Sequence, residues 1–364
     1  MIAKKICFAE AIALIIILVI NRIILGVPKS LLVNSAFSAT LTIIFVSIIT
    51  ILIILLINKL FKKFIASDIL DISEFLAGNY LKKFVGILYI ILFMGISILC
   101  LSYICDVLKS IYFESNDKLF LALFFILGIA IVNRMGFNAV IKSNLIIVIL
   151  TTIIMIIMFI LSIQLFVPER FFPLFGFGIK ENYFASLTDV FAFSGLAYIM
   201  LIFPFFKNTQ DFYKTNIIST IIISIYLLIS TICLLLVFPN SVISESIFNM
   251  YVLARLADLG EFLRNTDCIY LLFWILSIFS YLSINMFFIT NIFKKITNIK
   301  NSTATIYSFS LILFVSILLI NNITSYNFLL NTVYKYYMIT VIVLSIIILI
   351  LANIKKKKNL PKLK

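Results

Sequence analysis

Ten long apolar runs, separated by short clusters of charge and turn residues, organise the chain. They lie at about 7–28, 36–59, 84–107, 119–134, 142–167, 186–206, 216–238, 268–292, 305–321 and 333–354. A helix that crosses a bilayer needs about 20 mainly apolar residues, and runs of that length without strict alternation read as helix rather than strand. The pattern predicts an all-α polytopic membrane protein with ten transmembrane helices. The fourth run is short for a span.

Five runs fill 1–167 and five fill 186–354, with 168–185 as an outer connecting loop and 355–364 as a basic cytoplasmic tail. Five is odd, so the second half enters the membrane from the opposite side, which is the arithmetic of a 5+5 inverted repeat. Folds of that kind bind their ligand near the midplane, where one helix in each half is interrupted. The sequence offers matched interruptions in helices 1 and 6. Helix 1 carries Asn21 and Arg22 inside an aliphatic run, followed by Gly26 and Pro28; helix 6 carries Ser194 and Gly195, followed by Pro204. A small-residue pair such as Ser194-Gly195 also serves as a packing notch between helices.

Composition adds exclusions. The chain has 364 residues, 63% of them hydrophobic and 12% charged, and no histidine. Histidine-dependent triads and the commonest metal ligand are therefore absent. Cys7, Cys100, Cys105, Cys233 and Cys268 are scattered without CxxC spacing, so neither a disulfide nor a metal site is expected, and no cofactor. No phosphate-binding GxxxxGK[ST] loop occurs. The net charge of +14 follows from topology rather than from nucleic-acid binding. With a cytoplasmic amino terminus, twenty lysines and arginines fall in inner segments and eight in outer ones, which favours both termini inside. Lys355 to Lys358 then read as an anchor at anionic headgroups, and the first apolar run as an uncleaved helix.

Several segments together resemble one family. Arg170-Phe171-Phe172-Pro173-Leu174-Phe175-Gly176-Phe177-Gly178-Ile179-Lys180, then Phe193-Ser194-Gly195, then Phe203-Pro204-Phe205 are similar to the spore-germination permease family. So are Asn21 to Pro28, Arg134-Met135-Gly136 through Lys142, and Leu259-Gly260-Glu261-Phe262-Leu263 with Asp267 and Trp274. That family is the B subunit of GerA-type nutrient germinant receptors, in the amino acid-polyamine-organocation superfamily. The resemblance implies a ten-helix inverted-repeat fold, partnership with a larger A-type subunit and a C-type lipoprotein subunit, and a place in the spore inner membrane. Departures occur at Asn21-Arg22-Ile23, where the family usually has small residues, and at Leu196-Ala197, where many members carry an acid after the helix 6 glycine.

The expected pocket lies between helices 1, 3, 6 and 8. Its candidates are Asn21, Arg22 and Ile23; Phe93 and Ser97; Ser194, Gly195 and Tyr198; and Ser280 and Ser283. Cys100 continues the helix 3 stripe, and Ser277 and Tyr281 that of helix 8. A guanidinium deep in a span requires water, a carboxylate or a ligand anion. Arg22 therefore anchors a ligand carboxylate or pairs with Asp189, Asp106 being the second choice. The outer segment 245–264 has Phe248, Val252, Leu256, Leu259 and Leu263 at helical spacing, as in an amphipathic helix at the outer mouth.

Two functions fit: a receptor subunit that binds an amino-acid-like nutrient and triggers germination, or an autonomous ion-coupled amino-acid transporter. Neither is an enzyme. Apart from Arg22, ionisable residues are lacking at mid-span, which disfavours proton coupling.

Overall fold

In lipid the backbone must satisfy its own hydrogen bonds, so long aliphatic runs close into helices. The computed structural model describes residues 5–24, 26–35, 38–113, 117–172, 193, 195–245, 249–257, 266–299, 301–318 and 329–359, and among them all regular structure is helical. The first half comprises α1 (Phe8–Ile24), α2 (Val27–Ser35), α3 (Ala39–Phe61), α4 (Ile69–Ile111), α5 (Lys118–Met135) and α6 (Phe137–Ser162). The second comprises α7 (Gly195–Ile202), α8 (Thr209–Val237), α9 (Asn240–Glu245), α10 (Asn249–Leu256), α11 (Thr266–Thr297), α12 (Ser302–Ile317) and α13 (Lys335–Asn359). Among the described residues seven helices are long and apolar enough to cross a membrane: α3, α4, α5, α6, α8, α11 and α13. Three shorter apolar helices, Phe8–Asn21, Gly195–Phe205 and Thr303–Ile317, stand at the other three predicted spans. The chain is an integral multi-pass membrane protein.

The first interruption falls at the Gly26 end of the predicted stretch Asn21 to Pro28, past Asn21-Arg22-Ile23. Those residues stay in α1, and the break comes at Gly26, whose φ of +105° suits a residue without Cβ. Pro28 then sits in the first turn of α2, where its missing N–H costs nothing. In the second half α7 ends in a 3-10 turn, Phe203–Phe205, built around Pro204.

Two of these short helices, α1 and α7, are the most enclosed. Residues 13–20 of α1 and all of Gly195–Ile202 are buried, as expected of helices that are apolar all round. α1 packs against α6, α7, α8 and α11, and α4 against α11 and α13. Peripheral helices instead turn an apolar face outward, as with Ile44, Ile48, Leu52 and Leu55 on α3.

α4 is bent, because Ala77 and Gly78 leave helical geometry and Gly78 has φ +77°. Its first turns form a separate short segment, missed in the sequence pattern because Asp71, Glu74, Lys82 and Lys83 interrupt the apolar run. Asp68 starts it with a capping box, its carboxylate accepting from the N–H groups of Leu70 and Asp71. Lys355 ends it, donating to the carbonyls of Phe75 and Leu76, both at 2.9 Å. Part of the basic tail thus caps a helix carboxyl end.

Contacts gather lysine-rich segments at one end of the bundle. Lys5 donates to the carbonyls of Pro204 (3.2 Å) and Phe206 (2.8 Å), and Lys295 pairs with Asp68 (2.6 Å) and Asp71 (3.0 Å). At the other end Lys118 pairs with Asp106 at 2.8 Å, and Tyr251 donates to Asp267 at 2.9 Å. α10 is the amphipathic element expected at the outer mouth, but its inner face is Met250, Leu253 and Ala254, while Leu256 is 48% exposed. Of the predicted face Val252 packs inward and Leu256 does not, because α10 is only 8 residues long and takes its orientation from packing on α11 and α8. Phe248, Leu259 and Leu263 lie outside the described residues, as does most of the predicted connecting loop.

Candidate functional site

A polar side chain inside an aliphatic helix must find a partner, because an unpaired buried donor or acceptor costs about 1–3 kcal/mol. α11 supplies those partners for its neighbours. The Asn21 amide on α1 donates to the carbonyl of Ile17 (3.1 Å) and across to that of Ser277 (3.2 Å). Ser277 returns a bond from its hydroxyl to Asn21 Oδ1 at 3.1 Å. Two turns further along α11, Asn285 makes the second tie. Tyr198 on α7 donates its phenol to Asn285 Oδ1, the Asn285 amide donates to Ser97 Oγ on α4 (3.1 Å), and Ser97 donates to the Phe93 carbonyl (2.7 Å).

The relay Tyr198–Asn285–Ser97 therefore joins α7, α11 and α4 in the buried interior, with every member 3% exposed or less. Rings pack around it. Phe93 stacks on Tyr198 at 4.4 Å and 15°, and Phe288 meets Tyr198 edge-on at 5.6 Å. Stacked rings fill the space between α4 and α7, so the site is closed in this conformation.

The remaining candidates divide. Ser280 donates to Asn144 Oδ1 on α6 at 2.9 Å. Ser283 bonds its own helix at the Phe279 carbonyl, 2.8 Å, while its backbone carbonyl accepts from the Asn133 amide of α5 at 3.1 Å. Both face helices other than those the relay joins. Gly195 is set against α1, where an added Cβ would lie 3.3 Å from Val19 Cγ2, so it fits the packing-notch reading. Beside it, a void of about 10 Å³ is lined by Ile15, Val19, Phe193 and Thr220, at the lower limit for one water. Ile23 is fully buried. Ser194, Asp189 and the Arg22 side chain lie outside the described residues. Asp106 is occupied by Lys118.

Asn285, Asn144 and Asn133 were not singled out from the sequence. An amide inside an apolar span was the available signal; in α11 the neighbouring serines drew the attention instead. The cluster offers neutral donors and acceptors suited to a small polar or zwitterionic molecule. Among the described residues no group of three or more Cys, Asp or Glu side chains converges as a metal site would require.

Comparisons with known proteins agree with this architecture. No curated protein matches by sequence. Among solved structures, a Na+-coupled sialic acid symporter in a substrate-bound, outward-open state superposes with a TM-score of 0.68 at 13% identity, over 94% of this chain and 79% of that one. MhsT in complex with L-phenylalanine superposes at 0.65 and 12% identity, over 96% of this chain and 99% of that one. Identities this low establish the fold alone. A family model described as spore germination protein matches residues 5–325, nearly the whole chain, so the chain belongs to the spore-germination permease family.

Proposed function

We propose that this protein is the nutrient-binding subunit of a spore germinant receptor. It sits in the spore inner membrane with both termini cytoplasmic, beside a larger A-type subunit and a C-type lipoprotein, and an amino-acid-like ligand triggers germination through it. The observation that carries this reading is a neutral amide–hydroxyl relay at the junction of α4, α7 and α11, within a chain matched by a spore germination family model. A ligand can shift a conformational equilibrium only through contacts that differ between states. A molecule bearing amine, carboxylate or hydroxyl groups would compete for the hydrogen bonds of Tyr198, Asn285 and Ser97 and separate Phe93 from Tyr198. Asn21, Ile23 and Gly195 stand on the side of α1 and α7, and Ser280 and Ser283, bonded toward α6 and α5, stand behind the relay on α11. Arg22 serves the ligand carboxylate or pairs with Asp189.

The similarity in fold to MhsT, described with L-phenylalanine bound, supports a ligand of amino-acid size. It also keeps the transporter reading alive, since the same fold serves different functions. The two readings part in one experiment. The purified chain in liposomes with a sodium or proton gradient should accumulate no amino acid, and spores lacking the chain should fail to respond to a nutrient. Uptake by the lone chain together with normal germination without it would establish the transporter instead.

A further inference from the structure

At the lysine-rich end of the bundle a groove of about 590 Å³ opens between α4, α11 and α12. Its α4 side begins just past the Gly78 kink, where Lys83, Ile87 and Ile91 follow one another at helical spacing. Ile87 and Ile91 are 51% and 53% exposed on a membrane-spanning helix, so the groove opens sideways toward lipid. The opposite wall is Phe293 of α11 against Phe309 of α12, edge to face at 5.3 Å. Its floor is a close helix approach, since a Cβ on Gly86 would fall 2.6 Å from Ile296 Cγ2.

The polar groups are all at one end. Asn79 and Asn298 stand beside Lys83, and Asn298, at φ +60°, terminates α11 with its N–H on the Lys294 carbonyl at 2.9 Å. Lys82 is committed to Glu74 at 2.8 Å. Lys83 pairs with no carboxylate among the described residues, so it is the cation that faces the groove. A basic, polar end leading into an apolar trough open to the bilayer matches an amphiphile with an anionic head, and basic pockets between spanning helices hold such headgroups elsewhere.

We propose that this groove binds an anionic glycerophospholipid. Its phosphate is held by Lys83 with the amides of Asn79 and Asn298, and one acyl chain lies along Ile87, Ile91 and Phe309. The site is separate from the relay between α4, α7 and α11, and it holds whether the protein is a receptor subunit or a transporter. Occupancy would clamp the bend of α4 to the end of α11, the same two elements that Lys295 joins through Asp68 and Asp71.

Native mass spectrometry of the full chain, titrated with phosphatidylglycerol or phosphatidylcholine, tests the assignment. Phosphatidylglycerol should be retained in preference to phosphatidylcholine. Lys83→Gln should weaken that retention about fivefold, the weight of one lysine near an anionic headgroup, while Lys83→Arg preserves it. Ile91→Trp, at an exposed position, should exclude both lipids. Lys62→Gln, an exposed lysine outside the groove, should change nothing. Equal retention of the two lipids, no effect of Lys83→Gln and Ile91→Trp, or an equal loss in Lys62→Gln would overturn the site.

Discussion

Asn285 both accepts from Tyr198 and donates to Ser97, so its removal breaks two buried hydrogen bonds at once. Asn285→Ala should lower stability by about 1–3 kcal/mol, measured as thermal unfolding in detergent. Tyr198→Phe should cost less, because one partner is lost rather than two. Combining them should show a coupling of about 0.5–3 kcal/mol, whereas strictly additive losses would contradict the relay. Part of this chemistry was legible in the sequence. Asn21, Phe93, Ser97 and Tyr198 all lie in the interior, and Asn21 stands out because an amide in Val19-Ile20-Asn21 has no local reason to be there. Ser280 and Ser283 were legible as buried polar groups but not in direction, since spacing within a helix does not say which neighbour each side chain meets. Asn285 emerges only once α4, α7 and α11 are brought together.

Elements show where local chemistry departs from hydropathy. The bend in α4 depends on Gly78 at φ +77° with open space around the missing Cβ. Gly78 lies at φ +77°, ψ −166°, a backbone region open essentially to glycine alone, so Gly78→Ala should cost about 1–3 kcal/mol through its own backbone rather than through neighbours; a neutral result in thermal unfolding would show that the bend is not held there. Beside that bend Asp68 is buried, and burial, outweighing the attraction of Lys295, raises its pKa from an ordinary 3.8 to about 6. The folded state thus holds the proton more tightly than the unfolded one, so the contribution of Asp68 is greatest below pH 3.8 and is lost as pH rises to about 6. In detergent, wild type should gain stability relative to Asp68→Asn as pH falls from 7 to 5. A parallel pH dependence of the two proteins would refute the assignment. Neither the bend nor the Asp68 cap was visible as an apolar run, because charges occupy that stretch. The break falls at Gly26, inside the predicted interruption Asn21 to Pro28, while Asn21, Arg22 and Ile23 stay helical.

For the whole molecule, the apolar runs were enough to give an all-helical multi-pass membrane protein, since the bilayer dictates run length; which side the lysines face is an expectation from the charge asymmetry. The run count does not reveal that three of those helices are short or that α1 and α7 are the most enclosed. Single cysteines near Asn240 and near Lys300, in a chain without other cysteines, test the orientation. An impermeant thiol reagent added outside should label the first and spare the second, and equal labelling would reject both termini being cytoplasmic. The central claim is that a nutrient acts through the Tyr198–Asn285–Ser97 relay, and germination dose–response curves of spores carrying Ser97→Leu at normal protein level test it most directly. The leucine fills the ligand's place beside Asn285, so the half-maximal nutrient concentration should rise by about tenfold for each 1.4 kcal/mol of binding lost, with partner subunits still bound. An unchanged dose–response at normal protein level would contradict the account.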